Sequence, residues 1–210
     1  MASKLPRIFT GYKIGIICEG DEEYEYLEKL ISLELWSKEY CFLLENAEGN
    51  GNIPARYQDK YQNSSCDLIL VFCDTDKKPY EQYIDIKHKI NEFHGIENAA
   101  DQIVIYGNPC TMQIIIEHWD AVILDSHRKK KNAPIIFGLT GIEGYKGRAD
   151  QRKELFSRIT KENYQEMRER IKKLPSDDKL EGSTNFGRFI DYFSSDDSNW
   201  ILKINRILEG

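Results

Sequence analysis

Several common chemistries have no foothold in this 210-residue chain. Its five cysteines, Cys18, Cys41, Cys66, Cys73 and Cys110, form no CxxC pair, and their number is odd. That usage argues against a secreted disulfide scaffold and fits a reducing compartment. The four histidines, His88, His94, His118 and His127, show no HxH or HxxxH spacing, so no ordinary zinc site is encoded. No Walker Lys-Ser/Thr follows a glycine-rich loop, which argues against a P-loop ATPase. No GxSxG occurs, which sets acyl transfer aside. There is no internal repeat, no low-complexity tract, no signal peptide and no apolar run long enough to span a bilayer. A cytoplasmic location, away from membranes, is the expectation.

What the chain does contain is a globular composition, 40% hydrophobic and 30% charged. Its length suits one domain with appendages or two small ones. The formal net charge is −6, unevenly spread. From His127 to Lys173 there are 14 Lys and Arg against 6 Asp and Glu, an excess of +8, so the rest of the chain carries −14. A basic segment beside an acidic body can hold phosphate near a metal site, although a charge run alone is usually a solvated face.

Two apolar runs end abruptly in acid. Lys13-Ile14-Gly15-Ile16-Ile17-Cys18 runs into Glu19-Gly20-Asp21-Glu22-Glu23, and Leu68-Ile69-Leu70-Val71-Phe72-Cys73 into Asp74-Thr75-Asp76. Continuous apolar runs of this length suit strands buried on both faces of a parallel sheet. Ligands of such sheets bind beyond the strands' carboxyl ends. Carboxylates at two such ends gather negative charge in one crevice, which a hard cation such as Mg²⁺ or Mn²⁺ would neutralise.

The expected order is a strand over 13–18, a helix over 21–36, a short strand over 40–44, a turn-rich loop over 48–52 and a short helix over 54–61. A strand over 68–73, a helix over 79–93, a strand over 102–106 and a helix over 112–124 follow. This alternation predicts an α/β/α sandwich with a parallel sheet. Beyond residue 127 an edge strand over 134–139 is expected, then helices over 149–159, 162–173, 185–192 and 199–208. Residues 1–126 would form the α/β unit, and 127–210 a basic, mostly helical extension packed on it.

Ile16-Ile17-Cys18-Glu19-Gly20-Asp21-Glu22-Glu23, followed by Phe72-Cys73-Asp74-Thr75-Asp76, resembles the TOPRIM domain. Within that fold the chain is most similar to the RloB-like and OLD-type abortive-infection proteins of bacterial defence, over about residues 12–125. The resemblance implies a Rossmann-like three-layer fold and a Mg²⁺- or Mn²⁺-dependent nuclease acting on DNA or RNA. Glu19, Asp74 and Asp76 would be catalytic, and with Glu23 they would hold the metal. Asn108-Pro109, then Glu117-His118-Trp119, matches a further family element. The family's acidic residue, however, lies nearer the Asn-Pro, where this chain has Cys110-Thr111-Met112-Gln113. Glu117 and His118 are therefore additional candidates, with a partly buried structural histidine as the plainer reading of His118. A companion ATPase is also implied. Arg128, Lys129, Lys130 and Lys131, read as an exposed loop, together with Lys146 and Arg148, are the candidates for contacting nucleic acid. The competing functional reading is a catalytically silent TOPRIM-like scaffold for a partner ATPase. A primase-like activity is a third.

Overall fold

The protein is described here from a computed structural model, in which residues 11–210 are described. The opening residues of the expected 1–126 unit, 1–10, lie outside them. Four strands, β1 (Tyr12–Cys18), β2 (Tyr40–Asn46), β3 (Leu68–Asp74) and β4 (Val104–Gly107), form one sheet in the order β2-β1-β3-β4. Every neighbouring pair is parallel. In the central strands Ile14, Ile16, Ile17, Cys18 and Leu68 to Cys73 are all buried, which is what continuous apolar runs require.

The first crossover, through α1 (Asp21–Ser32), steps from β1 outward to β2. The second, through α2 (Ile53–Asn63), returns across β1 to β3. The strand order therefore reverses between β1 and β3, at the switch point where open α/β sheets bind ligands. Beyond β3 the chain forms α3 (Glu81–His94) and α4 (Ala99–Ile103) before entering β4. α2 packs on α3, β3 and β1, whereas α1 packs on β2 and the C-terminal helix α7 (Ala149–Ser157). The molecule is a Rossmann-like three-layer α/β fold with a helical C-terminal part.

That part comprises α6 (Lys129–Thr140), α7 (Ala149–Ser157), α8 (Lys161–Ile171), α9 (Phe186–Ser194) and α10 (Asn199–Glu209). Its core is continuous with that of the sheet. Phe186 of α9 stacks on Phe72 of β3 at 5.5 Å with the rings nearly parallel, and both are fully buried. Asn185 and Thr184 occupy the free edge of β4. Asn185 Oδ1 accepts from the Tyr106 amide, Asn185 Nδ2 donates to the Val104 carbonyl, and Thr184 Oγ1 donates to the Tyr106 carbonyl. Side chains thus take the place of a fifth strand and blunt a pairing edge. Phe186→Ala should cost about 3–5 kcal/mol. The loss should appear as one cooperative denaturant transition at lower midpoint. Two separated transitions would show that the C-terminal helices unfold as an independent unit.

α1 ends at Ser32 rather than 36, and residues 102–103 belong to α4 rather than to the following strand. The larger departures from the sequence expectations are three. Residues 134–139 form no edge strand; they lie in α6, with Pro134 inside the helix. The edge they were expected to cover is already taken by Asn185 and Thr184. The helix expected over 112–124 stops after α5 (Met112–Ile116). Buried Gln113 draws the chain back, donating to the Val122 carbonyl at 2.7 Å and accepting from the Leu124 amide at 2.8 Å. The basic run is likewise not a loop: Arg128 caps α6 and Lys129 to Lys131 form its first turn. Among the described residues no helix is long and apolar enough to cross a membrane.

Candidate metal centre at the switch point

β1 and β3 run side by side until β1 turns away at Gly20. The Glu19 amide donates to the Phe72 carbonyl at 2.9 Å, continuing the ladder by one step. The next donor on β3, the Asp74 amide, has no main-chain partner left on β1. It donates instead to Glu19 Oε2, at 2.9 Å. Two carboxyl-bearing residues 55 positions apart are thereby joined at adjacent strand ends.

Each neighbouring carboxylate is pinned by one oxygen. Asp74 Oδ1 accepts from the Thr111 amide at 2.5 Å and its hydroxyl at 2.7 Å. Asp76 Oδ2 accepts from Asn50 Nδ2 at 3.1 Å. Glu23 Oε2 accepts from the Gly20 amide at 3.1 Å, closing the first turn of α1. Asp76 adopts a left-handed backbone (φ +61°), a conformation uncommon outside glycine and frequent at working sites. The turn after β4 is equally tight: a Cβ on Gly107 would meet the Cys110 carbonyl oxygen at 2.8 Å. Only glycine lets residues 110–111 close over Asp74.

The electrostatics follow from this crowding. Burial, then Glu23, pushes the Glu19 carboxyl up to about 8. Burial, then Glu22, pushes Glu23 up to about 7. Asp74 is raised well above the usual carboxylate range by burial, then by Glu23 and Glu19. Asp76 is raised by burial, against which the nearby His127 and Asn50 act. Lys129 at the start of α6 is the closest counter-charge. Its Nζ lies 3.2 Å from Glu22 Oε1, which also accepts from the Tyr145 hydroxyl at 2.6 Å. This contact explains a lysine in the first turn of a helix, where the dipole disfavours it.

The structure brings Glu19, Glu23, Asp74 and Asp76 together beyond the adjacent ends of β1 and β3, each within reach of another's charge. It does not bring Glu117 or His118 there. Glu117 is fully buried and its charged neighbours are Arg170 and Asp120; burial raises it to about 7. His118 is buried between the Tyr26 hydroxyl at 3.0 Å and Asn163 Oδ1 at 3.3 Å, and burial lowers it to about 3. It is a neutral packing residue. Of the cationic candidates, Lys129 is spent on Glu22, and Arg148 pairs with Asp150 while capping α7. Lys146 and Lys130 are exposed.

Three contributors escaped sequence reading. Asn50, in what reads as an ordinary Gly/Asn turn, holds Asp76, and the Gly49 amide of the same turn donates to the Glu19 carbonyl at 2.8 Å. Thr111 fixes Asp74. His127, unremarkable in the sequence, is the histidine beside Asp76. Only long-range contacts place these residues; the nearest local signal is the Gly-Asn turn itself.

As the side chains stand, no three His, Cys, Asp or Glu groups converge into a closed metal cage among the described residues. The donor set is nonetheless that of a hard cation. One oxygen each of Glu19, Asp74 and Asp76 is held by a protein donor, and the other makes no hydrogen bond with a described residue. Mg²⁺ is commonly bound by one or two carboxylates plus water and substrate phosphate rather than by an all-protein cage. Comparison with models of protein families, with curated proteins and with solved structures returned no match.

Proposed function

We propose that the chain is a divalent-metal-dependent nuclease of TOPRIM type. The observation that carries this reading is the Glu19–Asp74 junction at the switch point of a parallel sheet, with Asp76 and Glu23 beside it. Mg²⁺ or Mn²⁺ would be held by Glu19, Asp74 and Asp76, with Glu23 adjoining. Such an ion, when bound, polarises a phosphodiester and acidifies water. The protein's own part is positioning and charge. Thr111 and Asn50 fix one oxygen each of Asp74 and Asp76. Lys129 pairs with Glu22 and offsets part of the negative charge that Glu22 adds beside Glu23 and Asp74. Glu19, its proton held to about pH 8 in the metal-free protein, is a group able to exchange a proton near neutrality.

The reading extends, by resemblance, to a role in bacterial antiviral defence alongside a separate ATPase, since no phosphate-binding loop of ATPase type is present here. A scaffold without catalysis is the second reading, favoured by the lack of a closed three-ligand group among the described residues. Incubation with plasmid DNA and with RNA, in Mg²⁺, Mn²⁺ or EDTA, separates the two. Metal-dependent cleavage that disappears in Asp74→Asn supports the nuclease. Cleavage by Asp74→Asn at the wild-type rate, or none by the wild type with either metal, refutes it.

A further inference from the structure

Beyond Asp76, two adjoining hollows of about 370 and 330 Å³ share Lys77, Lys78 and His127. The first opens directly from Asp76; the second continues past Asn108-Pro109 to Arg128 and Lys131. Acidic residues face them too: Glu81 in the first, Asp125 and Glu181 in the second. Glu181 is engaged by Lys78 at 2.8 Å. Lys77, Arg128 and Lys131 form no ion pair with a described residue, and all three are exposed. The floor is built rather than incidental. Buried Asn108 donates to the Tyr80 hydroxyl at 3.2 Å and to the Asp178 carbonyl at 2.7 Å, fixing Tyr80 in the wall.

We propose that this cleft seats the phosphodiester backbone of a polynucleotide and leads it to the carboxylate crevice. Lys77, Arg128 and Lys131 contact phosphates, and His127 lines both hollows beside Asp76. The position matters more than the count of charges. Outside residues 127–173 the chain carries −14, so most of the body repels a polyanion. Cations at the mouth of an acidic crevice are where such a ligand can approach. Lys77 comes from the end of β3 and Arg128 from the start of α6, so the track is assembled by the fold and is not the contiguous basic run alone. The inference deepens the nuclease reading, but binding can be measured without catalysis.

The test is fluorescence anisotropy of a short labelled single-stranded oligonucleotide, in EDTA, across a salt series. The proteins compared are wild type, Lys77→Gln/Arg128→Gln, Lys131→Gln and, as a control just past the end of α8 and outside the lining of both hollows, Lys172→Gln/Lys173→Gln. Each lost phosphate contact should make the log–log salt slope shallower by about 0.7. The cleft variants should bind several-fold more weakly, and the control should match the wild type. Wild-type slopes in the cleft variants, an equal loss in the control, or no wild-type binding at low salt overturns the proposal. Cleft-dependent binding without cleavage in any metal would leave the cleft standing and remove the nuclease. Metal-dependent cleavage with unchanged binding by the cleft variants would do the reverse.

Discussion

Asp74→Asn should lose metal-dependent cleavage and gain thermal stability in the metal-free protein at pH 8. The two effects have one cause. Asp74 lies at the end of β3 beneath Thr111, pressed between Glu19 and Glu23, and burial together with those two charges makes its ionised form unfavourable. An asparagine keeps the shape and still accepts from the Thr111 amide and hydroxyl, but contributes no like charge. The folded state is relieved by an amount on the order of 1 kcal/mol or more, and each kcal/mol moves the melting temperature of a domain this size by about 2–4 °C. The same change removes a negatively charged metal ligand. Loss of an outer-shell partner already costs roughly 10–100-fold, so cleavage should fall by more than about 100-fold. Activity and stability moving in opposite directions is the signature of a site held under strain for function. A variant both inactive and less stable would instead mark Asp74 as a structural hydrogen-bond acceptor.

The second large effect is a stability that falls with rising pH and is restored by a divalent cation. In the unfolded chain Glu19 and Glu23 lose their protons near 4.5; folded, they keep them to about 8 and about 7. Between these limits the folded state binds more protons, so stability declines as pH rises, and Asp74, raised well above the usual carboxylate range, adds to the decline in the same direction. Glu117, raised to about 7, adds to the decline from outside the crevice. His118 works in the other direction at lower pH. Held neutral to about 3, it costs stability as pH falls below 6.5, where the unfolded histidine takes up a proton. Thermal melts should therefore show a maximum on the acid side of neutrality and a descent toward pH 8. Mn²⁺ at about 100 times its dissociation constant should recover about 2.7 kcal/mol at pH 8, or roughly 5–10 °C. Glu19→Gln should flatten the descent and abolish the metal response. Glu117→Gln should flatten it while leaving the metal response intact. A metal response that survives Glu19→Gln would place the ion elsewhere.

The part of this protein that could be read in advance was the part governed by local pattern. Val71 and Ile16 sit in runs too apolar to face water on either side, so the parallel sheet follows. The acids that end those runs fall at neighbouring strand ends because the sheet order puts β1 beside β3. What could not be read depended on contacts across the chain. Residues 134–139 look extended by composition, with two isoleucines and a proline, yet the edge they would have covered is sealed by Asn185 and Thr184. α5 carries a longer helical pattern than it uses, because a single buried amide, Gln113, is better satisfied by a returning loop. The lysine run reads as solvated charge, yet Lys129 is held by Glu22, more than 100 residues away, whose same oxygen also accepts from Tyr145. Of the two histidines His118, beside Glu117 and Trp119, draws attention in the sequence, and His127 does not. Burial between Tyr26 and Asn163 removes the first from the chemistry, and placement beside Asp76 brings the second to its edge.

Titrating the protein with Mn²⁺ at pH 8, and following the free ion by electron paramagnetic resonance, tests directly whether β1 and β3 deliver their acids to a common cation. Saturable binding by the wild type that is lost in both Glu19→Gln and Asp74→Asn is the expected result. Binding that persists unchanged in both variants, or no binding by the wild type, would contradict it.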